Sequence, residues 1–332
     1  MANIKRAVTF YSLQDQYARK KMTLKEIARY VKGLGAEMEF IPDQMMHGTP
    51  HPAEATLKAW DEMVQETGII PAVCGSYVND KLYKNRLLTV KEGAANLIGE
   101  LELAHRLGFP MVKLVSTTRT GIVEAALPTA ERLGITITSE IHGGMSFNMP
   151  YVQEYVELLN RLQSPYLGFT IDCGIFCRRH PRVSTNYFKA IGMDNPYIVD
   201  YINGIFAEGK DPNSLFMAHP EVMEHLMSKA TCELDQLYIV YSTGYDNNPY
   251  TILDDYLPWV KHIHGKVYEM TDEGPEYSID YAGVVEYLKS RNYEGYISTE
   301  YEGNRFTPPG VELKEKQQVE RHQALLKKCI EG

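Results

Sequence analysis

The chain has 332 residues, 44% of them hydrophobic and 23% charged, with a formal net charge of −9; this is the balance of a globular protein, and it argues against nucleic acid, whose binding needs Lys and Arg to neutralise phosphates. No stretch approaches the roughly 20 apolar residues of a membrane-spanning helix, and Met1–Tyr11 lacks the long apolar run and small-residue cleavage site of a secretory signal. Five cysteines with no close CxxC pair suggest neither a disulfide framework nor a zinc ribbon, so the cytoplasm is the expected compartment.

Short apolar, β-branched runs alternate with longer amphipathic stretches, the pattern of repeated βα units around a parallel sheet. The first strand is expected at Ala7–Tyr11. A helix over Thr23–Leu34 follows: Thr23 caps it, Glu26 completes a capping box, and Leu24, Ile27, Ala28 and Val31 form one face. Strands come next at Ala36–Ile41 and Ile69–Cys74, then a helix at Thr89–Leu107 stopped by Gly108, and strands at Met111–Ser116 and Ile135–His142. A helix over Met149–Leu162, with Asn148 as its cap, leads to the sixth strand, Leu167–Cys173.

The spacing then breaks once. Residues 176–259 are too many for an ordinary connection and read as an insertion, with helices near Pro196–Ala207 and Pro220–Glu233 separated by the polar segment Glu208–Ser214. The seventh strand, Val260–Lys266, the helix Tyr281–Ser290 and the eighth strand, Gly295–Tyr301, complete the pattern. The expected fold class is α/β: a (β/α)₈ TIM barrel forming one domain over residues 1–332, with a long helical insertion (176–259) between strands 6 and 7 at the C-terminal face. That insertion either covers substrate, docks another protein, or is a plain elaboration. Cys173 and Cys177 read as buried thiols rather than ligands.

Four potential ligands fall at the ends of the last four strands: Glu140 in TITSEIHGG, Asp172 in GFTIDCG, His264 in VKHIHGKVYE and Glu300 in GYISTEYEG. The C-terminal strand ends of a parallel barrel converge around its mouth, so these groups can meet although distant in sequence. Three carboxylates and one imidazole suit Mn²⁺ first, or Mg²⁺, better than structural zinc, and a carboxylate cluster needs a cation to relieve its repulsion.

Strand parity sorts their neighbours. His262, His264 and Lys266 share one face, which makes His264 the ligand, Lys266 a substrate contact above it, and His262 a deeper, hydrogen-bonded core residue. Glu302 shares the face of Glu300 and belongs to the loop above. His142 lies two residues beyond Glu140 on the same face. A neutral imidazole there suits proton abstraction from a carbon next to a carbonyl; the competing reading is a histidine that only orients Glu140. Tyr11, Gln14, His47 and His51 are candidate contacts to sugar hydroxyls, His47 the better of the two histidines. Lys113 stays unassigned, and Met45–Met46 either touches an aromatic group or fills the core.

These motifs resemble the xylose-isomerase-like barrel superfamily of sugar isomerases, epimerases and related lyases. EIHGG is similar to its Glu-x-His-Gly element, HIHGK to its His-x-His-x-Lys strand, and TIDCG and STEYEG to its Asp and final Glu elements. More narrowly, AVTFYSLQDQY, FIPDQMMHGTPHP and EIHGG resemble the α (large) subunit of bacterial C-glycoside deglycosidases. The resemblance implies a divalent metal, usually manganese, on Glu140, Asp172, His264 and Glu300, and a smaller β subunit in a hetero-oligomer. The implied reaction is a lyase cleavage of the sugar-to-aglycone C–C bond in flavonoid 3-oxo-C-glycosides. The metal would hold the 3-oxo and neighbouring hydroxyl oxygens, His142 would remove the C2 proton, and the enolate would expel the aglycone from C1. A sugar isomerase or epimerase working through an enediolate would reprotonate the same species with a second base, a role Glu300 could fill, and the sequence leaves this alternative open. An abasic-site endonuclease would need more His and Asp ligands and a basic groove. A non-enzymatic scaffold is disfavoured by the intact ligand set.

Overall fold

The computed structural model describes residues 3–114, 118–145, 147 and 149–332. Eight parallel strands close into a barrel in sequence order: β1 (Asn3–Thr9), β2 (Glu37–Phe40), β3 (Pro71–Ser76), β4 (Met111–Leu114), β5 (Thr136–Ile141), β6 (Leu167–Asp172), β7 (Val260–Val267) and β8 (Glu294–Tyr301). The ring shuts where β8 pairs with β1, from Asn3 opposite Glu294 to Val8 opposite Thr299. Among the described residues no helix is long and apolar enough to cross a membrane.

Alternation along each strand explains the layering. Met38 and Phe40 of β2, Val112 and Leu114 of β4, and Phe169 and Ile171 of β6 are buried apolar residues of the core cluster. The residues between them are buried and polar: Glu39, Lys113 and Thr170. The upper interior is therefore a polar chamber, begun by a Thr138–Thr170 hydroxyl bond of 2.8 Å and rising to the acidic strand ends.

Every expected strand overlaps an observed one, with shifted edges. β1 starts at Asn3 and yields at Phe10 to a 3₁₀ turn, Phe10–Leu13. Ser12 latches that turn to β8, donating from Oγ to the Thr299 carbonyl (3.1 Å) and accepting from Tyr301 N–H (2.9 Å); Tyr11 thus stands in the turn and not on the strand. β3 begins at Pro71, a first-residue position that needs no ladder donor. Val115 and Ser116, expected at the end of the fourth strand, and the expected cap Asn148 lie outside the described residues. The helix Pro150–Leu162 has Met149 at its N-cap and Pro150 in its first turn, where a missing N–H costs nothing.

The expected capping box of Thr23 with Glu26 forms, and Thr89 makes a second with Glu92. Between β6 and β7 stand five helices, Arg182–Ala190, Pro196–Ala207, Pro212–Ala218, Pro220–Ser228 and Glu233–Ser242, followed by two 3₁₀ turns. Pro196–Ala207 is as expected, but the polar spacer contains the start of another helix, capped by Asp211 through Ser214 N–H at 2.5 Å. The single expected helix Pro220–Glu233 is two. Asp235 accepts from Thr231 N–H (2.7 Å) and its hydroxyl (2.8 Å), which holds the chain out of helical form before Glu233.

Candidate metal centre

The strand ends bring Glu140 of β5, Asp172 of β6, His264 of β7 and Glu300 of β8 into one buried cluster, each offering a ligand atom within 4.8 Å of the others. Donors bound at about 2.0–2.2 Å sit at most about 4.4 Å apart, so a cation would need the group to tighten by only a few tenths of an ångström. The orientation of the donors fits one. His264 Nδ1 lies 2.7 Å from Glu140 Oε1 and 3.0 Å from Glu300 Oε2. Yet neither His264 nitrogen, nor Glu300 Oε2, nor Asp172 Oδ2 makes a well-directed hydrogen bond. Buried polar atoms without partners call for an ion or other polar group, while His264 Nε2 turns away from the cluster toward Glu39. Asp172 is fixed in this pose because its other oxygen accepts from Gly174 N–H at 2.7 Å.

Cations already packed around the cluster keep it charged. Burial alone would raise the Glu140 carboxyl, but Lys113, His264 and Lys266 hold it well below the usual range. Burial likewise opposes ionisation of Glu300, which His264 and Lys266 bring down to about 2. Asp172 stays raised by burial, with Glu300 and Glu140 adding to the effect against Lys266. Lys266 Nζ is 3.0 Å from Asp172 Oδ2 and 2.9 Å from Glu302 Oε2, and also pairs with Glu300.

A second tier lies below, and sequence reasoning missed it. Glu39 of β2, fully buried, accepts from His262 Nε2 at 3.0 Å and lies 3.1 Å from His264 Nε2 and 3.5 Å from Lys113 Nζ. Lys113 in turn reaches Glu140 Oε2 at 3.2 Å. His262 is the hydrogen-bonded core residue that parity indicated, and Lys113 faces the interior. The available signal was a charge at the inward parity of each of two short strands, Glu39 between Met38 and Phe40 in EMEF and Lys113 between Val112 and Leu114 in MVKL.

Above the cluster opens a cavity of about 960 Å³ whose lining includes Tyr11, His142, Lys266 and Glu302, with Phe188 and Tyr241 from the β6–β7 helices on one wall. Tyr11 donates weakly to Glu302 Oε1 at 3.4 Å. His142 follows the end of β5, half-buried, with Nδ1 2.7 Å from the Gly143 carbonyl. A carbonyl only accepts, so Nδ1 carries a proton here, and in the neutral ring the lone pair then sits on Nε2.

His47 does not join this chamber. Pro42–Met45 forms a short helix, Met45 and Met46 are buried, and Gly48 turns the chain in the left-handed region (φ +84°). His47 is left exposed beside a separate cavity of about 990 Å³ on the barrel flank, shared with Tyr17, Met22 and Trp60. His47 is thus not among the residues brought together at the barrel mouth, and Met45 and Met46 act as core filling. Cys173 and Cys177 are buried free thiols.

No protein-family profile matches the chain. It is 27% identical over 309 residues to a 3'-dehydrocarminate deglycosidase alpha subunit from Microbacterium sp, covering 89% of this chain and 87% of that protein. It is also 27% identical over 331 residues to a C-glycoside deglycosidase alpha subunit from Arthrobacter globiformis, covering 96% and 90%. The D-allulose 3-epimerase of Methylomonas sp., solved with D-allulose, superposes with a TM-score of 0.59 at 10% identity, covering 99% of this chain and 98% of that one. The chain thus shares the barrel fold of that epimerase and, along most of its length, is similar in sequence to C-glycoside deglycosidase α subunits, as its motifs suggested.

Proposed function

We propose that this chain is the α subunit of a metal-dependent carbon–carbon lyase that cleaves 3-oxo-C-glycosides. The observation that carries the reading is the buried donor cluster of Glu140, Asp172, His264 and Glu300 beneath a cavity that His142 also lines. The named activity of the curated relatives points the same way. The oxygen-rich donor set favours Mn²⁺, then Mg²⁺. Glu140, Asp172, His264 and Glu300 would hold the ion, which would supply Lewis acidity to the oxygens of the sugar.

The chain's own groups do the rest. Lys266 and Tyr11 contact the sugar from the cavity wall. His142 takes the C2 proton on Nε2, the nitrogen left unprotonated by its bond to Gly143. The C2–H electron pair becomes the C1–C2 double bond, and the pair of the C1–aglycone bond leaves with the aglycone carbon, which takes up a proton. The relatives are named as alpha subunits, which supports a smaller β subunit as partner. A second reading, sugar isomerisation or epimerisation, draws on Glu300 and Glu302 as carboxylates at the same mouth; both are paired to Lys266, which disfavours either as a free second base.

The test is to incubate the metal-loaded protein, with and without its candidate small partner, with 3-oxo-C-glycosides and with simple 3-oxo sugars. Released aglycone supports the lyase. An isomerised or epimerised sugar without release establishes the second reading, and no reaction on either substrate class overturns both.

A further inference from the structure

The turn after β5 is held from outside the barrel ring. Asp246 is 2% exposed and its Oδ2 accepts from Gly144 N–H at 3.0 Å, while Asn213 Nδ2 donates to the Gly144 carbonyl at 3.0 Å. Both come from the segment between β6 and β7. The turn closes on itself through Met145 N–H to the His142 carbonyl at 3.0 Å. Its glycines leave it nowhere else to go: a Cβ on Gly143 would collide with the Gly244 carbonyl and lie 3.2 Å from that of Gly174, and Gly144 sits at φ +83° with Thr243 O 3.0 Å from where its Cβ would be. Asp246 is itself anchored, its N–H on the Gly174 carbonyl (3.3 Å) and its carbonyl on Cys177 N–H (2.8 Å).

We propose that Asp246, supported by Asn213, is a positioning residue that sets the His142–Gly143–Gly144 turn and so aims the imidazole into the mouth cavity. The inference rests on the reading of His142 as the base. It also gives the helices between β6 and β7 a stated task, since Asp211, the cap of Pro212–Ala218, fixes Asn247 N–H at 2.9 Å beside Asp246.

The charges around Asp246 say what chemistry the position demands. Burial first, and the neighbouring Asp211 carboxylate next, hold the Asp246 carboxyl well above the usual range, with Asp172 adding to the repulsion; Asp246 in turn raises the Tyr151 phenol, which burial already raises. The geometry asks of this position one accepting oxygen for Gly144 N–H, while its Oδ1 makes no hydrogen bond. Asparagine keeps an accepting oxygen on a side chain of the same size and reach.

The experiment compares Asp246→Ala, Asp246→Asn and Asn213→Ala in the metal-loaded protein with its candidate small subunit. It reads kcat and KM on a 3-oxo-C-glycoside, metal content, and the ¹³Cε1 resonance of His142 assigned with His142→Gln. Displacing a base by about 1 Å costs on the order of 10²-fold. Asp246→Ala should lose about that in kcat with KM and metal content little changed, and should shift or broaden the His142 resonance; Asn213→Ala should move it in the same direction. Asp246→Asn should recover kcat to within about threefold of wild type. An unmoved His142 resonance in both alanine variants overturns the proposal, as does an Asp246→Asn protein that is folded but no better than Asp246→Ala. If His142 is not the base, His142→Gln will turn over normally while the resonance still moves in Asp246→Ala, so the two ideas fail separately.

Discussion

Replacing Glu39 by Gln tests whether the buried charge below the donor cluster sets its affinity for a cation. Glu39 serves three neighbours: it accepts from His262 Nε2 at 3.0 Å and lies 3.1 Å from His264 Nε2 and 3.5 Å from Lys113 Nζ. Glutamine has the same size but only one accepting oxygen; its other terminus becomes an NH₂ donor. One imidazole must then lose its acceptor or change tautomer. If that imidazole is His264, the proton moves to Nδ1, the nitrogen 2.7 Å from Glu140 Oε1, and a protonated nitrogen cannot ligate a metal. Losing such an orienting carboxylate typically weakens metal binding by about 10–100-fold, which is about 1.4–2.7 kcal/mol. Lys113 also loses one of two counter-charges; breaking a buried pair costs about 3–5 kcal/mol, and the surviving contact to Glu140 at 3.2 Å puts the expectation at the low end. The assay is a Mn²⁺ competition titration with a fluorescent chelator, alongside urea unfolding of the metal-free protein. A dissociation constant within twofold of wild type together with an unchanged urea midpoint would refute the reasoning.

Alanine at any of Glu140, Asp172, His264 or Glu300 should strip the ion and abolish turnover with the barrel still folded; stoichiometric metal in all four variants, measured by mass spectrometry, counts against the ligand set. His142→Gln should keep its metal and lose about 10²–10⁴-fold in kcat, whereas a histidine that merely orients Glu140 would show weaker metal binding that excess Mn²⁺ restores; C2 deuterium exchange separates these. Glu100, almost fully buried, has its carboxyl raised to about 7 by burial and then by Asp43. A raised carboxyl favours folding below its unfolded value, and that advantage is lost as pH climbs from about 4.5 through about 7. Glu100→Gln should therefore stabilise the fold by up to about 3 kcal/mol at pH 8 and by little at pH 4, and urea midpoints equal at both pH values would contradict it.

How much could be read without coordinates follows from which signals are local. The donors Glu140, Asp172, His264 and Glu300 were legible because a parallel barrel gathers its C-terminal strand ends whatever the loops do. Capping at Thr23 was legible because the box is a local pattern, a threonine with a glutamate three residues on. Glu39 was not, since a charge in the four-residue strand EMEF has no meaning until the opposing strand supplies His262 and His264. Where His47 points was not legible, because a loop has no periodicity to orient its side chains, and the burial of Met45 and Met46 sets its direction. The β6–β7 helices blurred where side-chain hydrogen bonds, at Asp211 and Asp235, interrupt the apolar spacing.

The strand that carries Glu300 is also the one that shuts the ring, pairing with β7 on one side and β1 on the other. On the ribosome, Glu140, Asp172 and His264 emerge before it, on an arc whose first strand still exposes an unpaired edge. Three donors on an open arc have neither the fourth carboxylate nor the desolvation that gives the cluster its grip. For the proposed metal site, tight capture would therefore await ring closure, and a chain stalled before Glu294 would leave synthesis with an open sheet edge and an incomplete donor set.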